Sequence, residues 1–209
     1  MVKVGIVVDG EAESQALKLL TRRIAIDGVQ LLDPRFADMQ PKSTAKQIAK
    51  SASTQVSILK KQKADVVVVL IDREDRRECC GDWAVELEGA FDSVGFQGVK
   101  VVVKNRKLEN WLIADVAVFR KLKSRYKVTS SFEKSVKPNR ADSVEDAELL
   151  LNKVVVSGEY HKRRDAGQIL GLQDCLEVGQ HSRSFRRFLR LIKHPVYESQ
   201  SRKPAQLGS

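Results

Sequence analysis

The chain reads as an α/β protein, a mostly parallel sheet flanked by helices, with a helical C-terminal extension. Three observations predict this. Short aliphatic runs with little alternation, at residues 2–8, 66–71 and 99–103, have the character of strands buried on both faces. Amphipathic segments of helical period lie between them. Beyond about residue 124 the aliphatic runs stop and only helix-like segments follow. Strand alternating with helix argues for parallel crossovers.

The elements follow in order. The first strand is broken by Asp9-Gly10, where a glycine suits a tight turn or a close backbone approach. Residues 11–26 space Ala16, Leu17, Leu20 and Ile24 as a helix does. Residues 29–32 form a short second strand, stopped by Asp33-Pro34. Residues 43–63 carry Ile48, Ala52, Val56 and Leu59 on one helical face, with Ser43 as cap. Residues 66–71 are six consecutive aliphatics and make the clearest central strand. A helix over residues 81–91 leads to the strand at 99–103. A single helix then spans 107–123, with Trp111 among its core positions. The stretch after residue 124 and the segment around Pro138-Asn139 read as loop. Helices follow at 144–155, 165–172 and 183–192. The expected division is an α/β domain over 1–125, a helical extension over 126–193 packed on it, and a flexible tail over 194–209.

Composition narrows the function classes. The 209 residues carry 37 Lys plus Arg against 27 Asp plus Glu, a formal charge of +10 that favours a polyanionic partner. No run of 18 apolar residues exists, so no membrane span is predicted. Met1 leads straight into a strand-like segment without a secretory leader, and the three cysteines, vicinal Cys79-Cys80 and Cys175, have no framework spacing. Both features predict a reducing cytoplasm. The cysteines lack a partner cluster for zinc. No Walker-type phosphate loop and no G-x-G-x-x-G after the first strand are present, which argues against a P-loop ATPase and a dinucleotide enzyme. His161, His181 and His194 read as surface or packing histidines, with His161 the best placed to touch phosphate.

Acids stand where an open α/β sheet gathers its functional groups, at the carboxyl ends of the strands. The first strand ends in Asp9-Gly10-Glu11-Ala12-Glu13 and the central strand in Asp72-Arg73-Glu74-Asp75. After the last strand come Glu109 and, further on, Asp115. Carboxylates converging on one rim repel unless a cation neutralises them, and hard oxygens suit Mg²⁺ or Mn²⁺. The competing reading is that these are solvated loop acids and helix caps. Basic residues cluster later: Lys162, Arg163 and Arg164, then Arg183, Arg187 and Arg190 on one helix face, with Arg186 beside them. Such a face neutralises phosphates in a salt-dependent way, or docks an acidic partner.

The segments Lys3 to Glu13, Val-Val-Leu-Ile-Asp72-Arg-Glu74 and Glu109-Asn-Trp111-Leu-Ile-Ala-Asp115 resemble the Toprim domain of topoisomerases, primases and overcoming-lysogenization-defect nucleases. The resemblance is nearer to small stand-alone Toprim-like proteins encoded beside ABC-type ATPases in bacterial defence loci. Glu159-Tyr-His-Lys162 and Ser182-Arg-Ser-Phe-Arg-Arg-Phe188 resemble that family's ending. The resemblance implies a Toprim-like, Rossmann-like fold and a Mg²⁺- or Mn²⁺-dependent nuclease. That nuclease would be the effector of an anti-phage complex with an ABC/SMC-type ATPase, acting on DNA or RNA. It places Asp9 where the family has a glutamate, Asp72 and Glu74 on the Asp-x-Asp metal pair, and Glu13 on a second acid. The catalytic set is then Asp9, Glu13 and Asp72. Asp72, Glu74, Glu109 and Asp115 are the metal candidates. Lys162, Arg163, Arg164, Arg183, Arg187 and Arg190 are the nucleic-acid contacts. Asp9 is one methylene shorter and Glu74 one longer than the pattern, and catalysis is sensitive to such displacement. Two rivals stand beside this reading: a catalytically degenerate module that binds protein or nucleic acid, and a phosphate-transfer or nucleotide-handling enzyme.

Overall fold

Five strands, all parallel, form the sheet in a computed structural model that describes residues 1–136 and 140–198. β1 (Val2–Val8), β4 (Val66–Asp72) and β5 (Val99–Lys104) lie side by side; β2 (Val29–Leu31) and β3 (Arg35–Phe36) pair in turn with the lower and upper halves of β1. The order β2-β1-β4-β5 means the chain leaves β1 in one direction and returns to its other side. The carboxyl ends of β1 and β4 therefore flank the switch point where such sheets open a crevice.

Strand alternation divides the core. Val4, Ile6, Val8, Val68, Leu70 and Val102 face α1 (Glu11–Thr21); Val7, Val67, Val69, Ile71, Val101 and Val103 face α2 (Ala45–Lys61) and α3 (Cys80–Ser93). α2 begins with a capping box between Thr44 and Gln47, one residue past the expected Ser43. It packs so closely that a Cβ on Gly5 would meet Leu59 at 2.9 Å. Gly10, by contrast, is extended at φ −133°, and a Cβ there would meet nothing nearer than 3.5 Å, so the expected turn glycine is sterically ordinary.

The expected helix over 107–123 is two helices, α4 (Leu108–Leu112) and α5 (Val116–Lys121). Asp115 breaks the run because its side chain accepts from the Ala117 N–H and caps α5. Two segments read as loop contain short helices: α6 (Ser130–Ser135), capped by Thr129, and a 3₁₀ turn (Ala141–Ser143). Only α7 (Ala147–Asn152) fills the span expected at 144–155. The chain continues through α8 (Lys162–Leu170), α9 (Cys175–His181) and α10 (Arg183–Leu191) to α11 (Pro195–Glu198), which carries the buried Tyr197 into the expected tail. The rest of that tail and the expected loop at Pro138-Asn139 lie outside the described residues.

The C-terminal helices share the core of the α1 side of the sheet. Phe185 meets Trp111 edge-on at 4.9 Å and Phe188 stacks on it at 5.7 Å. Trp111 is fully buried, as its helical spacing predicts, and its indole N–H donates to Ser184 Oγ at 2.7 Å. No helix among the described residues is long and apolar enough to cross a membrane.

Candidate metal centre

β4 and β5 pair with Asp72 opposite Lys104, the last residue of each strand. Both share the parity of Leu70 and Val102, so both point to the α1 side of the sheet. Glu13 reaches the same space from the first turn of α1, and Asp9 enters from the end of β1. Three carboxylates from three segments thus converge, with one oxygen of each within 4.8 Å of the others.

A lysine stands among them. Lys104 Nζ lies 3.1 Å from Asp9 Oδ1, 2.5 and 2.6 Å from the two Glu13 oxygens, and 2.9 Å from Asp72 Oδ1. Its side chain is wholly buried. The Asp72 contact is an ion pair. Asp9 also fastens the strand ends together, its Oδ2 accepting the Asp72 N–H at 2.7 Å.

Three negative charges around one ammonium leave an excess that burial makes costly. Burial, aided by repulsion from Asp9 and Asp72, pushes Glu13 up to about 8 against the attraction of Lys104. Burial raises Asp72 to about 6 in the same way. For Lys104, burial opposes the charge, and attraction by Asp72, Asp9 and Glu13 overcomes it, so the ammonium is held well above its usual range.

The remaining predicted residues divide. Glu109 is buried beside this cluster; its Oε1 accepts from Tyr160 Oη at 3.2 Å and lies 3.6 Å from Lys162 Nζ, while Oε2 is buried without a partner among the described residues. Burial opposes the Lys162 charge, but attraction by Glu109, Asp72 and Glu13 overcomes it; 35% of the side chain is exposed. Glu74 stands apart from the three converging acids. It adopts φ +52° and faces a cavity of about 460 Å³ together with Glu109, Arg106 and Lys107. Asp115 is not part of the rim: one oxygen caps α5 and the other accepts the Asp174 N–H at 2.9 Å. That carboxylate is committed to joining α5 and α9, which corrects its expected place among metal ligands.

Among the basic residues, Arg163 pairs with Glu11 on the surface, and Arg164 with the buried Asp165. Burial raises the Asp165 carboxyl, but hydrogen bonds from Arg164 and Arg125 overcome this and hold it well below the usual carboxylate range. Arg187 donates to Val101 O and reaches Glu88, covering the exposed edge of β5; Arg183 is exposed, and Arg190 is half-buried on the same helix.

Lys104 is the residue that sequence reasoning missed. One signal was present: a lysine closing the aliphatic run Val101-Val102-Val103, beside a strand that itself closes on an acid.

The donor set of Asp9, Glu13 and Asp72 is all hard oxygen and suits Mg²⁺ or Mn²⁺. The lysine shows that this space already favours a cation. A divalent ion held by the same oxygens requires the ammonium to swing aside.

A family model described as "Domain of unknown function (DUF4276)" matches residues 8–193. Neither curated proteins nor solved structures gave a match.

Proposed function

We propose that this chain, which belongs to the DUF4276 family, is a divalent-cation-dependent nuclease. One observation carries the reading: three carboxylates from separate segments and a buried lysine converge at the carboxyl end of the sheet, beside its switch point. Asp9, Glu13 and Asp72 would hold Mg²⁺ or Mn²⁺. When bound, such an ion supplies Lewis acidity toward a phosphodiester. Asp72 is the most open of the three, with 12% of its side chain exposed, and forms the edge a substrate reaches. Lys104, once displaced from the acids, offers a positive charge to the phosphoryl oxygens. Glu13, raised to about 8 by burial, would give up its proton to solvent to hold the ion as a carboxylate. The net charge of +10 supports a polyanionic substrate. Service as an effector beside an ABC/SMC-type ATPase is supported by the Toprim resemblance alone.

The test is cleavage of plasmid, single-stranded DNA and tRNA by the purified chain with Mn²⁺, Mg²⁺ or EDTA. Metal-dependent cutting that vanishes in Asp72→Ala supports the reading. Cutting that persists in EDTA or in Asp72→Ala overturns it.

A second reading has its own observation. Lys104 already touches all three acids from a wholly buried position, as a permanent neutralising cation would. The chain is then a degenerate Toprim module that binds protein or nucleic acid. Calorimetry with Mn²⁺ separates the two, because a permanently closed cluster takes up no metal.

A further inference from the structure

On the opposite side of the same sheet end lies a second cavity, of about 430 Å³. Arg73, Cys80, Asn105 and Arg183 line it, with Arg187 and Cys79 at its border. Arg73 follows Asp72 and Asn105 follows Lys104, so one step past the end of each strand carries the chain from the acids to this space. Three features set its chemistry.

The first is positive charge without a matching acid. Arg183 is exposed and has no ion-pair partner among the described residues. Among the described residues the Arg73 side chain reaches the Cys80 sulfur, at 3.9 Å, and its Nε is buried without a partner. Arg187 also lines the cavity, with its guanidinium engaged by Val101 O and Glu88. The second is the one acid in the lining, Asp142, whose oxygens are turned to the first turn of α10. They accept from Ser182 Oγ at 2.6 Å, the Ser184 N–H at 2.8 Å and Ser184 Oγ at 3.1 Å. The third is the start of α3, a helix of 14 residues whose N-cap Cys79 makes no side-chain cap. Its first intrahelical bond is from the Trp83 N–H to Cys79 O, so the amides before it have no helical acceptor. The start of α10 at this cavity is filled by a carboxylate; the start of α3 has no side-chain cap, and the acid in its first turn, Asp82, is exposed and outside the cavity lining.

We propose that this cavity binds a phosphate group, held by the forks of Arg73 and Arg183 and by the first amides of α3. Arginine forks match phosphate oxygens in pairs, and a helix N-terminus favours an anion. The ligand class is a phosphate of a nucleotide or of a nucleic-acid backbone. A role in seating the phosphate next to the one cleaved rests on the nuclease reading; the affinity for phosphate does not.

Cys80 lies in the cavity and reports its occupancy. The full chain carrying Cys79→Ser is alkylated with iodoacetamide in EDTA, and modification of Cys80 is followed by peptide mass, with Cys175 as internal control. The probes are inorganic phosphate, a mononucleotide and a single-stranded DNA octamer without terminal phosphate. At about twice its Kd the phosphate fills two sites in three, and alkylation of Cys80 slows about threefold. The same slowing is expected in Asp72→Asn, where hydrolysis is lost. It is expected to vanish in the double variant Arg73→Gln, Arg183→Ala, whose fold is checked by its thermal melt. Protection by the octamer assigns the site to a backbone; protection by phosphate and mononucleotide alone assigns it to a nucleotide. Absence of protection by every probe overturns the proposal. So does equal protection in the folded double variant, or protection lost in Asp72→Asn alone, which would place the anion at the acid cluster.

Discussion

At the carboxyl end of the sheet, the α1 side holds Asp9, Glu13 and Asp72 closed around a buried ammonium. The α3 side, one residue past the ends of the same strands, holds Arg73 and Asn105 over an open cavity. The two regions also differ in how charge is met. On the acid side every carboxylate has found an internal cation, and the remaining excess is relieved by protonation. On the arginine side the lining acid is spent on a helix start, and charge is left facing outward. The first arrangement stores its interactions in the fold; the second leaves them for a ligand.

The largest contrast is expected from removing the cation on the acid side. Lys104→Met leaves three buried carboxylates facing one another and should cost about 3–5 kcal/mol in urea unfolding at pH 7.5 with EDTA. Arg183→Ala, made on the other side, should leave the urea midpoint in place. If the acids hold a divalent ion, Mn²⁺ should raise the melting temperature of Lys104→Met more than that of the parent. Equal unfolding of Lys104→Met and the parent would show that the acids are not held by the lysine.

Next comes pH. Glu13 has a folded-state value near 8 and Asp72 near 6, both above their ordinary values of 4.5 and 3.8. A raised carboxyl binds its proton more tightly in the folded state. The stability this brings is complete below the ordinary value and is lost as pH rises through the folded one. In EDTA the protein should therefore weaken as pH rises from about 4 to about 8, the Asp72 part ending near pH 6 and the Glu13 part continuing from about 4.5 to about 8. Glu13→Gln should flatten that part, as urea midpoints at pH 6 and pH 9 would reveal. A parent midpoint that does not fall across this range would count against a protonated Glu13.

A smaller effect belongs to the wall of the acid side. Tyr160→Phe removes the hydroxyl that donates to Glu109 and should cost about 1 kcal/mol, read as a shift in chemical denaturation. A shift several times larger would mean that Tyr160 holds more of this wall than its single hydrogen bond. The smallest effect is at the surface. Arg163 and Glu11 pair with 82% and 63% of their side chains exposed, so Arg163→Ala should leave the melting temperature unchanged. A measurable drop would show that Arg163 supports the packing of α8 on α1.

Much of the fold was legible because burial leaves a period in the sequence. The runs that became β1, β4 and β5 are aliphatic on both faces, which only a covered parallel sheet requires. The helical spacing around Trp111 was equally plain, but the break after it was not. Asp115 reads as a possible ligand in sequence and acts as a cap in space, two roles with the same residue type. The short helices α6 and α9 escaped because each depends on a capping side chain, Thr129 or Asp174, more than on periodicity. Of the acids, Asp9, Glu13 and Asp72 could be nominated from their places at strand ends and in the first turn of α1. Lys104 left one signal, a lysine closing an aliphatic run, which is ordinary until its neighbour is known.

By itself, then, the sequence determined the layers: which segments are strands, which faces are apolar, and that polar groups gather where strands stop. Local pattern encodes these because period and burial are properties of neighbouring residues. The tertiary structure alone decided the partners. Strand register set Lys104 opposite Asp72, the crossover through α1 brought Glu13 over them, and the step past the strand end took Arg73 the other way. Charges that meet across about ninety residues of chain owe their meeting to register and direction, which no local pattern carries.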